Sequence, residues 1–257
     1  MTTAASCVRV YKVGGPALED PALVEALARE LKSAAGEAVV VHGGGRRIEE
    51  MLRALAVESR FVDGRRETSD AAMEVVEMVL SGLVNKALAA GLTEAGTPAI
   101  GLSGRDAGIV RARVRPGLGR VGIPDRVDPA PLRALLAAGL LPVVSPVAAG
   151  PEGQALNVNA DEVALAVASA LGAQALVYLS DVDGVRASGS PVAALTASEA
   201  ERLMGDGTIG GGMSLKVRVA LEAAAAGIPE VLIAGRARLT GGFPGTRITA
   251  AVAEARP

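Results

Sequence analysis

Ala38-Val39-Val40-Val41-His42-Gly43-Gly44-Gly45-Arg46-Arg47-Ile48 is the stretch that decides the fold. The apolar run is short and β-branched, which suits a buried strand. Three glycines then make a turn, and Ile48–Ala56 continues with helical spacing. The same rhythm runs outward in both directions. Upstream, Cys7–Val13 (CVRVYKV) alternates as a strand and stops at Gly14-Gly15. Asp20–Ala35 is spaced as a helix, with Asp20 as N-cap, Pro21 at the first helical position and Gly36 as the stop. Downstream, Pro98–Leu102 precedes Ser103-Gly104, and Leu141–Val144 precedes Ser145-Pro146. Ala175–Leu179 precedes Ser180-Asp181, and Glu230–Ile233 precedes Ala234-Gly235. Strands that alternate with helices imply βαβ units and a parallel sheet covered on both faces. Ligands of such sheets collect at the carboxyl ends of the strands, where these turns lie.

Between Arg105 and Val127 the pattern changes to short alternating pieces, Ile109–Val114 and Gly119–Ile123, which read as a β-hairpin flap rich in arginine. The sharpest division falls near Asn157–Asp161. It separates an N-terminal lobe (1–156) from a C-terminal lobe (157–257).

Composition narrows the function. Apolar residues at 50% and charged residues at 21% exclude a disordered chain. A formal net charge of -2 offers no basic excess for nucleic acid or an anionic membrane. A single cysteine, Cys7, excludes an intrachain disulfide framework and suggests a cytoplasmic protein. The N-terminus lacks the charged and apolar regions of a signal peptide, and no charge-free apolar run reaches the length of a membrane span. Aromatics are only 2%, so a nucleobase would lie between aliphatic groups.

Five segments could carry chemistry. The turns Lys12-Val13-Gly14-Gly15 and His42-Gly43-Gly44-Gly45 let backbone N–H groups converge on an anion at the positive ends of the following helices. Each alone could be an ordinary βα turn. In Asn157-Val158-Asn159-Ala160-Asp161, alternate residues put three polar groups on one side, with Asp161 placed to cap the helix Glu162–Leu171. In Gly210-Gly211-Gly212-Met213-Ser214-Leu215-Lys216, a lysine lies one turn inside a helix. A cation there is disfavoured by the helix dipole unless an anion shares the site. Arg65-Arg66 follows Asp63-Gly64 and could clamp a carboxylate. His42 is the only histidine, so no zinc cluster or Ser-His-Asp set assembles, and it reads as structural. A P-loop and the G-x-G-x-x-G dinucleotide fingerprint are both absent.

These segments, together with Gly64–Thr68, Val84-Asn85-Lys86, Leu179–Val185 and Gly245-Thr246-Arg247, resemble in order the motifs of the amino acid kinase family. The resemblance implies an α/β three-layer sandwich on an eight-stranded, mainly parallel central sheet. It implies transfer of the γ-phosphoryl of MgATP to a side-chain carboxylate, most closely that of N-acetyl-L-glutamate in arginine biosynthesis. By resemblance, Lys12 and Lys216 neutralise charge on the moving phosphoryl group and Asp161 holds both lysines. Gly44, Gly45, Arg66, Asn157 and Asn159 would form the acceptor site. Gly14, Gly15, Asp181, Val182, Gly184, Val185, Ile209, Gly210 and Gly212 would bind the nucleotide. No protein metal cage is expected, the magnesium riding on the nucleotide. A homodimer through the helix spelled by Glu67–Lys86 is expected. Arginine-inhibited relatives carry an extra N-terminal helix, and only Met1–Ser6 precede the first strand here, so arginine feedback by that route is not expected. Two other readings stay open. One is an aminoadipate kinase of lysine biosynthesis, whose acceptor is attached to a small acidic carrier protein that the flap arginines would meet. The other is a non-catalytic sensor of nucleotide or amino acid.

Overall fold

A computed structural model describes residues 8–14, 18, 20–33, 38–62, 64–187 and 189–250. The first half runs β1 (Arg9–Val13), α1 (Pro21–Ser33), β2 (Ala38–His42), α2 (Gly45–Ala54), β3 (Phe61–Val62), β4 (Arg65–Arg66), α3 (Asp70–Glu77), a π-helical stretch (Met78–Val84), α4 (Asn85–Glu94), β5 (Ala99–Ser103), β6 (Val110–Val114) and β7 (Gly122–Val127). It continues α5 (Ala130–Ala137), β8 (Leu141–Ser145), β9 (Val147–Ala149), β10 (Ala155–Asn157), α6 (Ala160–Leu171), β11 (Ala175–Leu179), β12 (Arg186–Ala187), β13 (Ser190–Pro191), β14 (Ala194–Thr196), α7 (Ala197–Gly205), α8 (Gly211–Ala225), β15 (Glu230–Ala234), α9 (Arg236–Leu239) and β16 (Thr246–Thr249).

Eight strands form one sheet in the order β14-β16-β15-β11-β1-β2-β8-β5. The six from β15 to β5 are mutually parallel, so their carboxyl ends share one edge. β16 runs antiparallel to β15, and β14 lies parallel beside β16. The period of two sorts the strand side chains into two cores. Val10, Val39, Val41, Leu176, Tyr178 and Ile233 pack on one face against α6 and α8. Tyr11, Val13, Val40, Val177 and Leu232 pack on the other against α1 and α4. Strands buried on both faces explain why the sequence shows near-continuous Val and Leu runs.

Several boundaries differ from those the sequence suggests. α2 begins at Gly45, three residues before Ile48, because the glycine turn feeds straight into the helix. The helix expected over Glu67–Lys86 starts at Asp70, with Ser69 accepting from the Ala72 amide at 3.1 Å, and continues to Glu94. Asp70–Glu94 is also long and apolar enough to cross a membrane by length and composition, and half of its apolar window is buried inside the fold. The flap is not a lone hairpin. β6 and β7 join β9 and β10 in a four-stranded sheet, with the second flap strand at Gly122–Val127 rather than Gly119–Ile123. Cys7, Asp63 and the Gly36 stop lie outside the described residues.

Candidate active site

Asn159 opens α6: its Oδ1 accepts from the backbone N–H of Asp161 at 2.8 Å and of Glu162 at 3.2 Å. The cap is therefore Asn159, not Asp161 as the sequence suggested. A short polar residue before the first helical turn satisfies orphan amides wherever it stands, and the two candidates lie two positions apart. Relieved of that task, the Asp161 carboxylate turns inward.

Two lysines meet it there. Lys12 lies on the β1 face that looks toward α6, between Val41 on β2 and Tyr178 on β11. Its Nζ is 2.9 Å from Asp161 Oδ1. Lys216, one turn inside α8, donates to the two carboxylate oxygens at 3.2 and 3.1 Å. Asp161 and Lys216 are both buried. Burial pushes the Asp161 carboxyl up, but the two ammonium groups together outweigh it and hold the pKa below the ordinary value. Burial and the Lys12 charge lower the Lys216 pKa, with Asp161 opposing them. The Lys216 ammonium also stands 5.8 Å from the centre of the Tyr178 ring. A Cβ at Gly14 would come within 2.9 Å of the Lys12 ammonium, so a larger residue there would push that ammonium aside. Two cations against a single carboxylate leave a surplus positive charge facing the open end of the sheet, which suits an arriving anion.

Two cavities adjoin this centre, one lined by Lys12 and Lys216 and the other by Asn159 and Ala160, the residues just before Asp161. The first, of about 400 Å³, is lined by Lys12, Gly14, Asp181, Val182, Gly212 and Lys216. Gly210, Gly211 and Gly212 are exposed at the start of the fifteen-residue helix α8, so their amides are open to an anion. Of the residues assigned to the nucleotide by resemblance, Gly14, Asp181, Val182 and Gly212 line this cavity, while Gly184, Val185, Ile209 and Gly210 do not. Val185 and Ile209 point into the core. The Val185 amide is held by the Thr246 hydroxyl at 2.9 Å, which ties the loop to β16. Gly15 lies outside the described residues.

The other cavity, of about 190 Å³, is lined by Gly44, Gly45, Arg66, Asn157 and Asn159, all five of the assigned acceptor residues. Arg66 is buried; it donates to Glu49 at 2.8 Å and Ser59 at 3.1 Å and lies 4.6 Å from the centre of the Phe61 ring. Asn157 donates to the Thr68 hydroxyl at 3.0 Å, and that hydroxyl donates to the Arg66 carbonyl at 2.9 Å. Thr68 was given no role of its own by the sequence, whereas Arg65, paired with Arg66 there as a carboxylate clamp, does line this cavity. A threonine beside a two-residue strand carries no motif, and its role depends on a contact 89 positions away.

His42 shapes the turn between strand and cavity. Its Nδ1 donates to the Gly43 carbonyl at 2.9 Å, and its Nε2 accepts from Asn85 Nδ2 at 3.0 Å. Asn85 Nδ2 also faces the carbonyls of Val143 and Leu102, so it is the donor and the imidazole is neutral. Burial lowers the His42 pKa to about 4.

Residues 8–235 match the model of the amino acid kinase family. The chain belongs to the amino acid kinase family. Every side chain of the lysine–aspartate centre and both cavities falls within the matched span. Among curated amino acid kinase sequences, it is 44% identical over 241 residues to an acetylglutamate kinase of Rubrobacter xylanophilus, covering 93% of this chain and 94% of that one. It is 46% identical over 228 residues to an acetylglutamate kinase of Geobacillus kaustophilus, covering 87% and 88%. Among solved structures, a Streptococcus mutans protein superposes with a TM-score of 0.85 at 27% identity, covering 95% of this chain and 99% of that one. A carbamate kinase of Giardia lamblia shares the fold at a TM-score of 0.70 and 17% identity, covering 96% and 99%.

Proposed function

We propose that this amino acid kinase transfers the γ-phosphoryl group of ATP to the side-chain carboxylate of N-acetyl-L-glutamate, a step of arginine biosynthesis. The observation that carries the reading is the Lys12–Asp161–Lys216 centre, with one cavity lined by its lysines and another by the residues just before Asp161. The relatives named acetylglutamate kinase, at 44–46% identity over most of both chains, supply the substrate.

The chemistry follows from the charges. The acceptor carboxylate is ionised at neutral pH and attacks the γ-phosphorus without a general base. The new acyl O–P bond forms as the bond to the β-phosphate oxygen breaks, and the negative charge passes to departing ADP. Little else is required than alignment and charge neutralisation. Lys12 reaches the transferring group from β1, and Lys216 reaches it from the start of α8. Asp161 fixes both ammonium groups, so they need no reorganisation during the step. Of the nucleotide-side carboxylates, Asp161 is spent on the lysines and Asp181 accepts from Ser180. That donor set fits a magnesium ion carried by the nucleotide phosphates and water, which would neutralise phosphate charge. Gly44 and Gly45, with Arg66, Asn157 and Asn159, hold the acceptor. The Gly14 turn, Asp181, Val182 and the α8 N-terminus hold the nucleotide, with Gly15, Gly184, Val185, Ile209 and Gly210 shaping its loops.

The acceptor lobe is residues 1–156 and the nucleotide lobe 157–257, joined by one sheet. The protein works in the cytoplasm as a homodimer that pairs the Asp70–Glu94 helix with its twin. The test is ATP-dependent acyl phosphate, trapped as the hydroxamate. N-acetyl-L-glutamate should give product, and N-acetyl-L-glutamine, whose side chain ends in an amide, should give none. Product from neither acid nor amide, with folded protein and MgATP, would reject the reading.

A further inference from the structure

Most polar groups of the acceptor cavity are already engaged by neighbours. Arg66 gives one arm of its guanidinium to Glu49 and Ser59 and turns the other toward the Gly45 carbonyl at 3.4 Å. Asn157 spends its amide N–H on Thr68, and Asn159 spends its oxygen on the α6 cap. Arg65 lines the same cavity. One nitrogen of its guanidinium is held by Glu162 at 2.6 Å, and Glu162 also accepts from Arg115 at 3.4 Å. Arg65 Nε, Arg115 Nε and Glu162 Oε2 are buried without a partner, three of the five such side-chain atoms among the described residues. Two guanidinium groups, 20% and 25% exposed, share the Glu162 carboxylate, and of the three side chains only that of Arg65 lines the cavity. The remaining wall is largely apolar, including Ile48, Leu80, Val121 and Val158. Positive charge in such surroundings is under-compensated, and a carboxylate in the cavity would balance it.

We propose that Arg65 is a second acceptor-binding cation beside Arg66, held in place by Glu162, and that it makes the cavity select a dicarboxylate. This rests on the cavity being the acceptor site. Consecutive residues of α6 then serve the two reacting partners. Asp161 anchors the lysines on the phosphoryl side, and Glu162 anchors the arginines on the acceptor side. Glu162 is a positioning residue, drawing hairpin β3–β4 and the end of β6 onto the helix that carries Asp161.

Arg65→Gln, Arg65→Lys and Glu162→Gln test it by two readouts. In steady-state kinetics, Arg65→Gln should raise the KM for N-acetyl-L-glutamate at least tenfold and leave the MgATP KM within twofold. Arg65→Lys should recover part of that loss. Glu162→Gln should move the acceptor KM in the same direction by less, with the MgATP KM again unmoved. An acceptor KM within twofold of wild type in a folded Arg65→Gln protein overturns the proposal. The second readout needs no turnover. Glutarate, a bare dicarboxylate, should raise the melting temperature of the wild type and protect Arg65→Gln less than half as well. Equal protection, or no protection of wild type, also overturns it. Wild type protected by glutarate but inactive with N-acetyl-L-glutamate would reject the reaction assignment and leave the dicarboxylate site standing.

Discussion

Lys216 is held one turn inside α8 with its ammonium against Asp161 and on the wall of the proposed nucleotide cavity. Lys216→Ala should lower turnover by about a thousandfold, the scale set by loss of one preorganised charge donor. Acceptor affinity, read by calorimetry, should stay within a few-fold, because Lys216 lines the nucleotide cavity alone. Turnover near wild type would remove Lys216 from the mechanism. His42 makes a second residue-level prediction. Its pKa, about 4 in the fold, lies below the 6.5 of a free imidazole. The unfolded chain therefore binds more protons between pH 6.5 and 4, and stability falls as pH falls through that window, by up to about 3 kcal/mol. As the chain's only histidine, its ring resonances should show no titration by NMR down to about pH 5. A midpoint near 6.5 would contradict the buried neutral tautomer. At this scale the lysines, Asp161, Arg66 and the asparagines were legible because glycine turns and caps mark them. Arg65 was legible only as half of an arginine pair, and Thr68, Glu162 and Arg115 had no readable role, since each acts through a partner far away in the chain.

Elements set the aim of these residues. β1 and β2 end at the glycine turns because the sheet is parallel and its carboxyl edge opens to solvent. That much followed from the alternation of Val runs with helical spacing. Which residue capped α6 did not follow, because Asn159 and Asp161 are equally suitable as sequence. The close packing of α4 on β5 was also invisible. A Cβ on Gly101 would overlap the Asn85 side chain, which bridges His42, Val143 and Leu102. Gly101→Ala should destabilise the protein by about 1–3 kcal/mol, as overpacking does. The acceptor KM should rise as well, since Asn85 steadies His42 and through it the Gly43–Gly45 turn. Chemical denaturation reads the first effect; an unchanged midpoint would mean that Asn85 moves aside freely.

At the scale of the molecule, the sheet edge gathers both cavities around one charged centre, and the long helix Asp70–Glu94 leaves an apolar surface. Met78 and Leu83 are 57% and 50% exposed on it, which suits a helix that meets its twin. Light scattering should give twice the chain mass of 25.7 kDa, and Leu83→Glu should shift the species toward monomer. A wild-type monomer at micromolar concentration would reject the dimer. The parallel sheet, its helical layers and its functional edge were readable from the spacing of short apolar runs. The four-stranded flap sheet was not, because β9 and β10 are three-residue strands that pair locally with each other and join the flap only through Arg111 of β6 opposite Ala149, far apart in the chain. The most direct test of the whole account compares kcat/KM for N-acetyl-L-glutamate with that for N-acetyl-L-2-aminoadipate, one methylene longer, by hydroxamate trapping. The account predicts a preference of at least tenfold for the shorter acid, the scale of one methylene in a fitted pocket. Equal rates, or preference for the longer acid, would contradict it.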